Sequence, residues 1–334
     1  MTWTEPGAFP VAPGVHRIPL PLPNDGLRAV NVYTVETAEG LVLVDGGWAI
    51  PEARDVLSAG LAEIGAGLPD ISSFLVTHVH RDHYTQAVAL REETGASVGL
   101  GRHERPTLEL LQNPDRSPLS SQVQQLRTLG AHALADATQR AFAKIKPDLG
   151  SWLSPDTWLE PGPIALAGGR VLEAVETPGH TAGHLVFHDL DAGLLFAGDH
   201  VLPTITPSIG FEPVLQPEPL AAFLRSLAIV RERPDALLLP AHGPVADSAH
   251  ARVDELIAHH GRRLDEAEAA LRQTDGCAFE VAGVLRWTRH GRTLEELDGF
   301  NQLLAIFETG AHLDLLAAQG RVVRELVDGV LRYR

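Results

Sequence analysis

Three imidazoles and a carboxylate fall within positions 78 to 83 of the run Thr77-His78-Val79-His80-Arg81-Asp82-His83. The run follows Phe74-Leu75-Val76, a short apolar segment with strand preference. His78 and His80 are therefore predicted to leave a strand end on the same side, since the strand period is two, and to grip one cation together. Asp82 and His83 come where the chain bends into a helix predicted over residues 84 to 94. They face the other way, toward a second cation roughly 3.5 to 4 Å from the first. Nitrogen and carboxylate donors suit zinc, with manganese and iron as alternatives.

Four further segments share this character. Upstream lies Leu43-Val44-Asp45-Gly46-Gly47. Downstream come Thr177-Pro178-Gly179-His180-Thr181-Ala182-Gly183-His184, Phe196-Ala197-Gly198-Asp199-His200 and Leu239-Pro240-Ala241-His242-Gly243-Pro244. Each downstream segment follows a short apolar run and turns at a Gly or Pro, which is how a loop lifts a ligand off a strand end. With these five motifs in this order, the chain resembles the metallo-β-lactamase fold superfamily over roughly residues 14 to 250. The resemblance is specific for fold and metal site and leaves the substrate open.

Carried over position by position, the resemblance implies His78, His80 and His180 on a first metal and Asp82, His83 and His242 on a second, with Asp199 bridging them. Two dications a few ångströms apart need such an anion between them. Asp45 is implied as a carboxylate that orients a ligand or its loop, and Asp45, Asp82, His83 and Asp199 are the residues expected to carry the catalysis. His184 and His200 flank ligand motifs and are expected to support ligands through hydrogen bonds. His103, His132, His188, His250, His259, His260, His290 and His312 lie outside any motif, and the expectation there is a solvated or internally satisfied imidazole. The chain has no Gly-x-Ser-x-Gly elbow, and its single cysteine, Cys277, sits in a polar turn far from the motifs, so a Ser or Cys nucleophile is not expected.

The 334 residues, 44% of them hydrophobic, can bury a large core and a smaller appendage. A formal net charge of -16 counts against nucleic-acid or anionic-membrane partners, which need basic patches. One cysteine excludes intrachain disulfides and permits a reducing compartment. Residues 1 to 13 lack a basic start followed by an apolar core, and no apolar run is long enough to span a bilayer, so a cytoplasmic location is expected.

Strand-like runs are predicted at residues 14 to 20, 29 to 36 and 41 to 45, joined by turn residues such as Asn24-Asp25-Gly26, with a helix from Pro51. Residues 105 to 150 read as an insertion of two or three helices, including 121 to 129 and 132 to 143, of a length that usually serves as a lid or binding wall. Lys144 and Lys146, the only lysines, lie at its end and are expected to be solvated. Strands are predicted at 171 to 176, 185 to 189, 194 to 197 and 237 to 239, with a helix at 219 to 232. This alternation implies an α/β fold, an αββα sandwich with its ligands at strand ends, over residues 1–247. Residues 248–334 are predicted as a separate helical domain: helices at 253 to 272, 280 to 288, 294 to 308 and 311 to 319, then a hairpin turning at Asp328-Gly329. That tail resembles the winged-helix tail of some lactamase-like hydrolases. In so acidic a chain, packing, lid or homodimer use is favoured over DNA binding.

By this resemblance the expected activity is dinuclear metal-dependent hydrolysis of a small molecule, with a hydroxide between two divalent ions as nucleophile. A thiolate or alkoxide can depart with little protonation, whereas an amide nitrogen must be protonated, and the motifs offer no clear general acid. That favours a thioester, in the manner of hydroxyacylglutathione hydrolase, with a lactone second. A nuclease and an iron-dependent sulfur or oxygen oxidoreductase are the remaining alternatives.

Overall fold

The computed structural model describes every residue except Met1, Asn24 and Asp275. The turn expected at Asn24-Asp25-Gly26 therefore lies partly outside the described residues. What is described divides into two compact units, each drawn from three stretches of chain. The first comprises Met1–Gln112, Asp148–Pro207 and Ser226–Val253; the second comprises Asn113–Pro147, Ser208–Arg225 and Asp254–Arg334.

In the first unit, β1 (Phe9–Ala12), β2 (Val15–Pro21), β3 (Ala29–Thr37) and β4 (Gly40–Val44) form an antiparallel meander. Helix α1 (Pro51–Glu63) then crosses to β5 (Ile71–Val76), α2 (Arg81–Thr94) to β6 (Ser97–Gly101), and β7 (Thr157–Leu159) extends the parallel half, giving seven strands in sequence order. Helix α1 begins with Pro at its first position, where no amide hydrogen bond is lost. It buries Ala53, Leu57, Gly60 and Leu61, the spacing of one helical face. That face and α2 cover one side of the sheet through Ile18, Leu20, Val32, Leu43, Phe74, Val76, Tyr84 and Val88.

A second sheet of five strands has the order β12, β11, β10, β9, β8, formed by β8 (Gly162–Ala165), β9 (Val171–Glu176), β10 (Leu185–Asp189), β11 (Leu194–Gly198) and β12 (Leu237–Pro240). Its inward residues Leu172, Leu185, Phe187, Phe196 and Leu239 meet Tyr33, Val35, Val42, Val44 and Leu75 of the first sheet in one apolar layer. Sheets buried on both faces in this way carry nearly continuous apolar strands, as β10 and β11 do. The result is the α/β sandwich expected from the strand and helix alternation.

The second unit holds α4 (Ser120–Thr128) and α5 (His132–Phe142) of the expected insertion, whose first helix, α3 (Arg105–Leu111), stays with the first unit. The chain thus divides differently from the expected boundary at residues 247 and 248. Helix α4 buries Val123 and Leu126, and the following Leu129 finds its partners in the second unit: the Phe279 amide donates to the Leu129 carbonyl (3.0 Å), and the Leu129 side chain lies close over Gly310. Helix α6 (Pro219–Glu232) and the long α7 (Ala249–Leu271) run through both units. Next come α8 (Ala278–Val284) and α9 (Gly299–Ala318). Cys277, expected in a polar turn, is buried as the residue that caps the N-terminus of α8. The hairpin of β13 (Arg324–Val327) and β14 (Val330–Tyr333) turns at Asp328-Gly329, both with positive φ, as a tight primed turn demands. Lys144 and Lys146 are exposed, and among the described residues no helix is long and apolar enough to cross a membrane.

Candidate metal centre

Strands β5, β9, β11 and β12 all deliver their chemistry at their C-terminal ends. Thr77, His78 and His80 follow β5, and Asp82 and His83 occupy the first turn of α2, which starts earlier than the expected residue 84. The loop after β9 carries His180, Asp199 follows β11, and His242 follows β12. Main-chain and side-chain hydrogen bonds tie these ends together. The Leu185 amide donates to the Thr77 carbonyl (2.8 Å) and the Ala241 amide to the Gly198 carbonyl (3.0 Å). The buried Asn31 side chain donates to the carbonyls of Pro240 and Gly243 (both 2.9 Å), fixing the His242 loop.

The seven expected ligand residues are brought together in two donor sets. In the first, His80 Nδ1 stands 3.0 Å from His78 Nε2 and 3.1 Å from His180 Nε2, and Asp199 Oδ2 is 3.5 Å from His180 Nε2. In the second, His242 Nε2 is 3.4 Å from Asp82 Oδ2 and 3.3 Å from Asp199 Oδ1, while His83 Nε2 is 3.7 Å from each of those oxygens. The groups His78, His80, His180 and Asp82, His83, His242 each converge closely enough to hold one ion. The two oxygens of Asp199 are divided between the sets.

These donors fit metal ions better than they fit one another. Ligands about 2.0 to 2.2 Å from a tetrahedral ion stand roughly 3.3 to 3.6 Å apart, close to the spacing seen here. Among the described residues, His83 Nε2, His242 Nε2 and Asp199 Oδ1 are buried and have no hydrogen-bond partner, which is costly unless something else satisfies them. The far side of each ring explains the bare nitrogen. His83 Nδ1 donates to Asp45 Oδ2 (2.9 Å), His242 Nδ1 to the Ala29 carbonyl (2.8 Å), and His78 Nδ1 lies 3.1 Å from Thr77 Oγ1. Each bond turns its ring so that the other nitrogen faces the site.

Asp45 is the hub of this support. Its Oδ1 accepts from the Thr77 amide (2.8 Å) and hydroxyl (2.9 Å) while Oδ2 holds His83. It does so from a left-handed backbone conformation, φ 63°, that an aspartate tolerates better than most residues. Electrostatics follow the placement. Burial holds His78 well below the ordinary imidazole range and brings His80 down to about 3. Burial also opposes charge on His83, but Asp45, Asp82 and Asp199 outweigh it and push that imidazole up to about 10. Asp82 and Asp199 stay below the usual carboxylate range despite burial, because His83 and His242 surround them.

His184 stacks on His78, its Nδ1 2.9 Å from Thr177 Oγ1, and its Nε2 accepts the Asp199 amide (3.1 Å), so it steadies the dividing carboxylate through the backbone. His200 is buried beside it. Two supports escaped the sequence reading. Thr77 is visible only as a neighbour of the histidine run. Glu104, fully buried, accepts from Thr181 Oγ1 (2.5 Å) in the His180 loop, and nothing in the sequence around it signals that role.

The sequence profile described as the Metallo-beta-lactamase superfamily matches residues 25–242, and the chain belongs to that superfamily of metal-binding hydrolases. Among its relatives, a probable metallo-hydrolase of Bacillus subtilis (strain 168) is 24% identical over 332 residues, 91% of each chain. An atrochrysone carboxyl ACP thioesterase of Cryptosporiopsis sp. (strain 8999) is 24% identical over 92% of this chain and 80% of that protein. Two solved structures are similar over nearly their whole length. A metallo-beta-lactamase family protein of Thermus thermophilus has TM-score 0.76 and 29% identity, covering 97% of this chain and 99% of that one. A beta-lactamase domain protein of Burkholderia ambifaria has TM-score 0.78 and 28% identity, covering 100% and 94%.

Proposed function

We propose that the protein is a dinuclear hydrolase of thioesters, with His78, His80 and His180 holding one divalent ion, Asp82, His83 and His242 the other, and Asp199 shared. The observation that carries this reading is the division of the Asp199 carboxylate between two complete donor sets. Imidazole and carboxylate donors at these spacings favour zinc. Ions held by these residues would supply Lewis acidity and would lower the pKa of a bound water. The chain contributes orientation: Asp45, Thr77 and the Ala29 carbonyl lock the rings, and three carboxylates balance the positive charge of the ions. A thioester is favoured because a thiolate departs without a proton donor, which an amide nitrogen requires. Two relatives named as ACP thioesterases support the same bond class.

The test is a panel of an acylglutathione thioester, an acyl-pantetheine thioester, a lactone, a β-lactam and RNA, given to zinc-reconstituted protein with metal content measured in parallel. About two ions per chain and a thioester rate at least tenfold above the β-lactam and RNA rates are expected. Lactone turnover above both thioesters would transfer the assignment to the lactonase reading, and preferential β-lactam or RNA cleavage would overturn both. Asp199→Ala should lower metal content at both sets and abolish measurable turnover, and a variant that keeps two ions would reject the shared carboxylate.

A further inference from the structure

The second unit contains another group of metal-ligating side chains, made only of residues that no motif marks. A ring nitrogen of His259, a ring nitrogen of His260 and a carboxylate oxygen of Glu308 lie within 4.8 Å of one another. His259 and His260 are on α7, and Glu308 is on α9. His312, one turn after Glu308, stacks on His260 with ring centroids 5.3 Å apart.

The hydrogen bonds assign the protons. His312 Nδ1 lies 2.7 Å from the Glu308 carbonyl, which can only accept, so Nδ1 is the protonated nitrogen of that ring. The opposite nitrogen, His312 Nε2, lies 3.2 Å from His260 Nδ1. With both rings neutral, His260 Nδ1 must donate and His260 Nε2 must carry a bare lone pair. Both rings are buried, which disfavours their charged forms. His260 is fully buried, with the edge of the Phe223 ring beside it, and its Nε2 has no hydrogen-bond partner among the described residues. Burial also raises the carboxyl of Glu308, with only Arg263 opposing. A buried lone pair and a partly desolvated carboxyl are both costly alone, and one cation would satisfy both.

We propose that His259, His260 and Glu308 form a further cation site, oriented by His312, that clamps α7 to α9 with a zinc-class divalent ion. Two imidazoles and one carboxylate form a set typical of zinc, leaving one coordination position for water. The relay from the Glu308 carbonyl through His312 to His260 is the kind of outer support that fixes a ligand ring. Small side-chain rotations suffice to bring donors already this close onto one ion.

The experiment uses the full chain, stripped with a chelator and dialysed against Zn2+, with zinc per chain counted for the wild type, Glu308→Gln and His259→Gln. Each variant is expected to hold one ion fewer than the wild type while keeping its hydrolytic rate. Cobalt(II) loading should give a visible absorption component that both variants lack. His259 is only partly buried, so His259→Gln keeps the test decisive if Glu308→Gln perturbs folding, as checked by far-UV circular dichroism. Equal zinc content in the wild type and a folded His259→Gln chain would overturn the site. Because the readout is a difference of one ion, failure of the dinuclear reading elsewhere in the chain would leave it interpretable.

Discussion

Asp45 touches neither donor set with its own oxygens except through the far nitrogen of His83, yet it holds that ring and the Thr77 that backs His78. Asp45→Asn keeps the shape but places an amide where two donors need an acceptor. Outer-sphere losses of this kind typically cost about 10 to 100-fold, so a drop of that order in zinc affinity and turnover is expected, read by competition with a chromogenic chelator. His188 offers a test away from the centre. It is buried against Arg233, whose Nε lies 3.1 Å from His188 Nδ1, and burial followed by that neighbouring cation keeps it below its ordinary value of 6.5. The unfolded chain then binds the proton more readily than the folded one. Stability is whole above about pH 6.5 and is lost as pH falls below it. His188→Leu should flatten the fall of Tm between about pH 7.5 and 5.5, and an unchanged slope would show that other groups govern it. At this scale the sequence displayed the donors plainly, because chelating side chains crowd into short loops. Their supports were hidden: the Ala29 carbonyl is backbone and leaves no mark in a sequence, and Glu104 reaches the His180 loop only through tertiary contact.

The end of β6 and the loop between β9 and β10 approach so closely that both use glycine. A Cβ on Gly101 would stand 2.2 Å from the Gly183 carbonyl oxygen, and one on Gly183 would stand 2.3 Å from the Glu104 amide nitrogen. Backbone cannot yield as a flexible side chain can, so Gly101→Ala should destabilise the protein by about 2 to 3 kcal/mol in urea unfolding, with turnover reduced through the displaced His180 loop. A loss below about 0.5 kcal/mol, an ordinary surface effect, would mean the loop relaxes freely. Long, strongly patterned elements were legible in the sequence; α6 and β10 fall where they were expected. The short β6, β7 and β8 went unread, since three to five residues containing glycine or a single branched side chain carry little periodicity. Two helices expected at residues 294 to 308 and 311 to 319 are arranged differently. A break falls instead at Asp298, whose carboxylate caps the Asn301 amide (3.0 Å), and α9 then runs unbroken through Gly310 because Leu129 packs where a side chain would be.

Neither compact unit is a continuous piece of chain, and this limits what can be cut away. A chain truncated after Val253 keeps α4 and residues 208 to 225 but removes their partners: the Phe279 amide that satisfies the Leu129 carbonyl, and the rings of Phe300 and Phe307 beside Phe211. Such a chain is expected to bind a hydrophobic dye and sediment as aggregates, and a monodisperse, dye-silent product would show that the second unit is dispensable. This threading was illegible in the sequence because helical periodicity reports that a face is apolar and not which distant segment covers it. The same long-range closure sets the order of events during synthesis. The hydrogen bond that aims His242 joins it to Ala29, 213 residues away. At about 5 to 20 residues per second, a ribosome needs on the order of ten seconds or more to emit that span. On the proposed reading, the early histidines leave the exit tunnel as loose, exchangeable chelators, and the full donor set is assembled only after β12 has seated.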